Sequence, residues 1–398
     1  MSWEKVRLGD VTDSCLGKML DQEKNKGEYQ PYLANLNVRW GTFDLDNLSQ
    51  MRFEDDEQER YGLRYGDLVV CEGGEPGRCA IWKDQIPGMK IQKALHRVRV
   101  HECLDYRYLF YWFLLAGKRG ILEQYFTGAT IKHLPGQKLK SVVIDMPPIE
   151  TQHRIADILS AYDDLIKNNR KQIKLLEEAA QRLYKEWFVD LRFPGYEHTK
   201  ITDGVPEGWE KSTVATVSSI LRRGISPRYN ENGKFVVINQ KCIRQTVVSF
   251  DESRQQEKPY PEDLNLQDSD TVICSTGAGT LGRVGQIFGN YPDTTLDSHV
   301  TLVRAKEGFG KQYLFQSLNS RQTYLMGMGK GSTNQLELNR GTIQDLDIYI
   351  PSKKVLNQFE QVAQPIHDKI SVISKCIMQL QTARDCLLPK LMSGKVEV

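Results

Sequence analysis

The chain has 398 residues, 40% of them hydrophobic and 26% charged, which is the balance of an ordinary folded protein with room for more than one core. A net charge of +2 excludes a polycation that coats nucleic acid along its whole surface, and leaves local basic clusters as the place to look. The longest apolar run, Tyr108 to Ala116, is too short to span a bilayer; Met1-Ser2-Trp3-Glu4-Lys5 lacks a signal-peptide layout; and the eight cysteines show neither a CxxC pair nor zinc spacing. Buried thiols in a reducing cytoplasm, and no membrane, are the expectation.

Taken in order, Asp67-Leu68-Val69-Val70-Cys71 and Arg78-Cys79-Ala80-Ile81-Trp82 predict two strands around the turn Glu72-Gly73-Gly74-Glu75-Pro76-Gly77. Residues 105–116 have helical spacing of Tyr108, Leu109, Trp112 and Phe113. After Pro148 the spacing alternates four and three through Ile155, Leu159, Tyr162, Ile166, Asn169, Ile173, Leu176, Ala180, Leu183 and Trp187. That is a heptad seam, and its length favours a coiled coil. A Pro- and Gly-rich stretch, 191–206, predicts a linker.

The second half repeats the first at a nearly constant offset. Ser269-Asp270-Thr271-Val272-Ile273-Cys274 answers Gly66 to Cys71, His299 answers His96, Gly331-Ser332-Thr333 answers Gly128-Ala129-Thr130, and Pro351 answers Pro148. Trp209-Glu210-Lys211 echoes Trp3-Glu4-Lys5. Residues 311–326 predict the second helix, and a second seam follows through Phe359, Ala363, Ile366, Ile370, Ile373, Ile377, Leu380, Arg384, Leu387 and Leu391. Pro365 should kink or restart that helix. Asn169 and Arg384 are polar seam positions. Two readings stand: a buried group that fixes register or partner, or a solvated one where the seam frays.

A unit of about 200 residues is too long for a solenoid repeat. The expected class is α/β (α+β): two similar globular domains with a pseudo-two-fold internal repeat, separated by a long antiparallel two-helix coiled coil. The expected limits are 1–148 and 207–351 for the domains, 149–190 and 352–392 for the helices, 191–206 for the linker and 393–398 for a tail. A pseudo-dyad suits a two-fold target, and duplex DNA is the leading candidate.

Catalytic signals are weak. Gly277-Ala278-Gly279-Thr280-Leu281-Gly282 fits GxGxxG, but a strand-like Arg283 to Phe288 follows where a dinucleotide fold needs a helix. Gly327 to Thr333 lacks the ending of a phosphate loop. His96 and His299 read as framework residues. No cofactor or metal is expected on this chain.

Segments 18–60 and 222–265 share little sequence and carry the basic residues expected of a reading surface. The candidates are Lys18, Arg39, Trp40, Arg52 and Arg78, with Lys132 and His133, in the first half. In the second they are Arg222, Arg223, Lys241, Arg244 and Arg283, with Asn334 and Gln335. Such residues suit phosphate contacts and base-edge readout; a solvated loop surface is the bland alternative for each.

Met146-Pro147-Pro148-Ile149-Glu150-Thr151-Gln152-His153-Arg154-Ile155-Ala156-Asp157-Ile158-Leu159 and Trp187-Phe188-Val189-Asp190-Leu191-Arg192-Phe193-Pro194-Gly195, followed by Pro206-Glu207-Gly208-Trp209, closely resemble the specificity (S) subunit of type I restriction-modification systems. The resemblance spans essentially the whole chain. It departs after Pro351, where Ser352-Lys353-Lys354-Val355 lacks the Glu-x-Gln of 150–152. It implies two target-recognition domains that each read half of a bipartite double-stranded DNA site. It implies helices that set the spacer and dock two methyltransferase (M) subunits, with motor-nuclease (R) subunits joining through that core. It also implies a non-catalytic chain whose S-adenosylmethionine, ATP and magnesium sites lie on the partners. The alternatives are a free-standing bipartite DNA-binding regulator and an enzyme with an unrecognised site.

Overall fold

The computed structural model describes residues 3–21, 23–329 and 337–398. The chain divides into two compact units, Met1–Lys167 with Met378–Val398, and Asn168–Ile377. Each unit therefore holds one mixed domain together with part of both long helices, Ile149–Tyr184 and Lys353–Leu391.

In the first unit Thr12–Leu16, Leu95–Val100, Leu68–Cys71 and Cys79–Ile81 form an antiparallel four-stranded sheet in that order. Leu68–Cys71 lacks hydrophobic alternation because both of its faces are covered. Leu68 and Val70 pack on the helix Tyr106–Lys118. Val69 and Cys71 point the other way, into a core with Leu33, Trp82, Met89 and Ile91. That second core lies against a three-stranded mixed sheet, Gln50–Phe53, Glu28–Leu33 and Lys90–Ile91.

The second unit has the same topology. Its four strands are Ser218–Arg223, Val300–Ala305, Thr271–Cys274 and Val284–Gln286, and its three are Arg254–Gln256, Phe235–Ile238 and Thr294–Leu296. Ile273 packs toward the helix Lys311–Asn319, whereas Val272 and Cys274 join Ile238 and Leu296. Two strands of each three-stranded sheet lie within the segments that share little sequence, so the common framework reaches further than sequence identity does.

Strand register corrects one expected equivalence. His96 pairs with Val70, while Thr301 pairs with Ile273, so Thr301 is the counterpart of His96. The turn 275–282 is longer than 72–77, and this shifts the strand that follows. His96 is buried, with Nε2 3.0 Å from the Leu134 carbonyl, and burial lowers its pKa. His299 is exposed, with Nδ1 2.8 Å from Thr276 Oγ1, and is not a framework residue. Cys71 and Cys274 are buried as expected, and burial pushes their thiols up to about 11 and about 12, whereas Cys103 and Cys386 are exposed.

Within each unit the long helices pair antiparallel. In the first, Arg384 Nη1 donates to Asp163 Oδ1 at 2.5 Å and Arg154 donates to the Val398 carbonyl. In the second, Asn169 Nδ2 lies 3.6 Å from Cys376 Sγ, and Tyr184 and Trp187 pack on Phe359. Both polar seam residues are thus partnered across the helix pair. Ile155, Leu159, Ile166, Ile370, Ile373 and Ile377 are buried, and Tyr162, Ile173, Leu176, Leu183, Ile366, Leu380 and Leu387 half-buried, while Leu165 and Leu175 face out.

Pro365 does not restart the second helix, which is unbroken from Lys353 to Leu391. The ring sits on the exposed face beside the exposed Gln361, whose freed carbonyl water can satisfy. Residues 191–206 are more ordered than a plain linker. Ile201–Thr202 and Val205–Pro206 form a small hairpin, and Phe193 stacks on Trp209 at 5.0 Å. Among the described residues no helix is long and apolar enough to cross a membrane.

Candidate nucleic-acid interface

The turns that lead from a central strand to the edge strand of each four-stranded sheet gather many of the basic candidates. In the first unit Asn35 Nδ2 donates to the Gly73 carbonyl at 2.7 Å, and Arg78 Nη2 donates to the Asn35 carbonyl at 3.2 Å. Trp40 Nε1 donates to Glu75 at 2.7 Å, and Arg78 pairs with the same carboxylate at 3.0 Å. The backbone of Leu134 bonds Glu72, which brings His133 against Gly73; a Cβ there would lie 3.1 Å from the imidazole. Thr127 and His133 close a loop through paired backbone bonds, and the loop presents Ile131 and Lys132 to solvent.

The second unit rebuilds the arrangement with other side chains. Gln240 Nε2 donates to the Thr276 carbonyl at 2.8 Å, in the place of Asn35, and Leu338 N bonds Ser275 in the place of Leu134 and Glu72. Arg223 pairs with Glu337 at 2.5 Å and donates to the Leu338 carbonyl at 2.9 Å. Arg283 ends the turn, and Lys241 and Arg244 are exposed beside it. Asn334 and Gln335 lie outside the described residues.

At the other end of the central strand, away from the turn, each unit holds the same largely buried ion pair. Arg99 makes a two-pronged contact with Asp67, both bonds 2.8 Å, and Arg304 does so with Asp270, both 2.7 Å. Each carboxylate also accepts the N–H three residues before it, from Arg64 and Gln267 at 2.8 Å. These fixed pairs hold the end of the sheet away from the turns, and they are the same in both units while the turns differ.

Some sequence candidates do not belong to the surface. Lys18 is buried, with Nζ 2.5 Å from Glu57 and 3.0 Å from the Arg52 carbonyl; it holds the framework and is corrected from a DNA contact to a structural one. Trp40 is half-buried against the helix at Gly117, so its ring is packing and only its edge faces the turn. Arg78 turns Nη1 to Glu75 and Nη2 to Asn35, and Arg222 pairs with Asp263 at 2.8 Å. Arg52 lies away from the turn, 5.1 Å over Tyr29. Sequence reasoning missed Asn35, Leu36, Glu75, Ile131 and Gln240. Leu36 and Ile131 are 67% and 65% exposed, and an apolar residue on a wet loop carries no signal until the fold shows where it points.

No group of His, Cys, Asp or Glu able to hold a metal ion occurs among the described residues. What the geometry offers is a rigid sheet carrying two clusters of basic, amide and apolar side chains. Such clusters suit recognition of an anionic, patterned surface.

A family-wide sequence profile described as "Type I restriction modification DNA specificity domain" matches residues 1–178 and again 206–379. The chain belongs to the family of type I restriction-modification specificity subunits. Among its relatives, the MjaIX specificity subunit of Methanocaldococcus jannaschii is 28% identical over 302 residues, covering 73% of this chain and 69% of that one. The MjaVIII specificity subunit of the same organism is 25% identical over 418 residues, covering 100% and 93%. The crystal structure of the type I S subunit from M. genitalium has the same fold, with a TM-score of 0.58 at 18% identity over 98% of this chain and 96% of that one.

Proposed function

We propose that each domain reads one half of a bipartite, asymmetric double-stranded DNA site. In this reading the paired helices set the gap between the half-sites and dock two methyltransferase subunits, through which motor-nuclease subunits join. The observation that carries it is one framework built twice with two chemically different turn clusters: the Asp67–Arg99 and Asp270–Arg304 pairs repeat, while Trp40, Glu75 and His133 give way to other side chains around Thr276. A protein that recognised one symmetric sequence would need two like clusters; two unlike ones fit an asymmetric site. This chain supplies recognition only. S-adenosylmethionine, ATP and magnesium act on the partner subunits, and the assembly works in the cytoplasm.

The test is an exchange. Residues 1–148 are replaced by the matching domain of a relative, the chain is expressed with its methyltransferase, and methylated sites are mapped across a genome. One half of the site changes and the other half stays. A site changed in both halves, or in neither, overturns the reading. A heptad inserted into both helices then tests the spacer, which should lengthen with both half-sequences retained.

A further inference from the structure

We infer that residues 36 and 241 are matched base-reading positions, and that Arg39 and Arg244 are matched phosphate anchors that hold them on the duplex. This deepens the DNA-reading proposal and rests on it.

The equivalence is structural. Asn35–Asn37 and Gln240–Cys242 are single 3-10 turns, each following the central strand of its three-stranded sheet. Each is clamped to its neighbouring turn by an amide side chain, Asn35 on Gly73 and Gln240 on Thr276. Each is closed by the same backbone bond, Asp44 N to the Asn37 carbonyl at 2.8 Å and Ser249 N to the Cys242 carbonyl at 3.0 Å. On this frame Leu36 superposes in role with Lys241, and Arg39 with Arg244.

The two positions then separate by what they share. Arg39 Nη1 donates to the Leu36 carbonyl at 2.5 Å, and Arg244 Nε donates to the Lys241 carbonyl at 3.2 Å. The same residue type thus makes the same brace to the same carbonyl in both units. Both guanidiniums remain solvent-facing, with side chains 51% and 64% exposed, and each makes a loose ion pair, Arg39 with Asp44 at 4.0 Å and Arg244 with Glu252 at 3.7 Å. A braced, exposed guanidinium with donors left over suits a phosphate, which is the same at every base pair. Nothing in half-site choice requires it to vary, and it does not.

Position 36/241 does vary, from an apolar Leu36 to a cationic Lys241, both exposed. These two chemistries match different base edges in the major groove. Leu36 suits the 5-methyl group of thymine, and Lys241 suits the N7 and O6 acceptors of guanine. Because each arginine bonds the carbonyl of the reading residue itself, anchoring the phosphate fixes the depth and register of the reader.

The experiment uses the full chain with its methyltransferase subunit, selected against random duplexes and titrated over salt. Leu36→Ala should relax one base pair of the first half-site by roughly ten- to hundredfold and leave the second half-site intact. Lys241→Ala should do the same in the second half-site only. Leu36→Lys should move the first-half preference toward guanine. Arg39→Ala and Arg244→Ala should weaken binding evenly across sequences and lower the salt slope by about one each. All these side chains are exposed, and unchanged thermal unfolding confirms intact variants. An Arg39→Ala complex with an altered motif, or a Leu36→Ala complex that loses affinity evenly, overturns the assignment while leaving bipartite reading in place. An unsubstituted complex that binds all duplexes alike overturns both.

Discussion

The two units solve one packing problem in two ways. In the first, the helix Tyr106–Lys118 carries its own cap: the Asp105 carboxylate accepts the N–H groups of Arg107 and Tyr108 at 2.6 and 3.2 Å. In the second, the cap position is Gly310, and the acceptor arrives from the long helix, where Glu360 accepts from Gln312 and Tyr313 at 3.3 and 2.8 Å. A Cβ on Gly310 would stand 2.6 Å from Glu360 Oε1, so the glycine makes room for the borrowed carboxylate. The matching carboxylate of the first unit, Asp157, is free to pair with Arg107 instead, at 2.5 Å. The lesson is that the frame is set by which groups are satisfied, and the same donors find acceptors from different parts of the chain.

The anchoring of the helices differs in the same way. Tyr111 donates to Asp163 at 2.6 Å, and Arg384 completes that chain in the first unit. In the second, His367 lies between Gln286 and Asp268, at 3.1 and 3.2 Å, stacked on Phe288 with centroids 4.3 Å apart. An aromatic cluster of Tyr184, Phe188, Trp209, Tyr313 and Phe359 closes the helix end there, whereas Leu388, Leu391 and Met392 do so beside Trp3 in the first.

The largest expected effect tests what the units share. Asp67→Ala or Asp270→Ala strands a partly buried guanidinium and should cost its own unit about 3–5 kcal/mol. Hydrogen exchange should place the loss in the substituted unit. A cost below about 1 kcal/mol in either would mean that the pair is not a common support of the two sheets.

The next test exchanges the capping solutions. Glu360→Ala should cost about 1–2 kcal/mol, because two helix N–H groups lose their acceptor. Gly310→Asp alone should also destabilise, since the new side chain meets Glu360. The double variant should recover much of the loss by restoring the cap of the first unit. Additive losses in a double-mutant cycle would show that Gly310 and Glu360 are not coupled.

Much of this was legible before the fold. The strand Leu68–Cys71, the heptad seams and the repeat itself follow from periodicity, which local chemistry sets. The reading cluster was legible only in part. Lys18 looked like a surface cation because a sequence does not show that Glu57 lies across from it. His96 and His299 looked equivalent because identical letters sat near a constant offset, and only strand pairing revealed the longer turn between them. Asn35 and Gln240 carried no signal, since an amide that clamps a turn is indistinguishable in sequence from one that faces water.

The smallest effect separates the units by pH. Glu177 is half-buried in the second unit, beside Thr246, in a cavity it lines with Gln286, Gln312 and His367, and Asp268 stands behind His367. Burial pushes the Glu177 carboxyl up to about 7 from the ordinary 4.5. Between those values the folded unit holds a proton that the unfolded chain has released, so stability must fall as pH rises through that window. Asp268 acts in the opposite sense and elsewhere: its hydrogen bonds hold it at about 2, so its contribution is complete above about pH 4 and is lost only on acidification below that. In the first unit the seam counterpart of Leu176 is Leu380, and the residue after it is Gln381, which does not titrate. Glu177→Gln should therefore flatten the decline of the second unit between pH 4.5 and 7, raise its stability at neutral pH by on the order of 1 kcal/mol, and leave the first unit unchanged. Denaturant unfolding followed by hydrogen exchange across that pH range reads both units in one sample, and an unaltered pH profile in the variant would show that Glu177 is ionised and solvated in the folded chain.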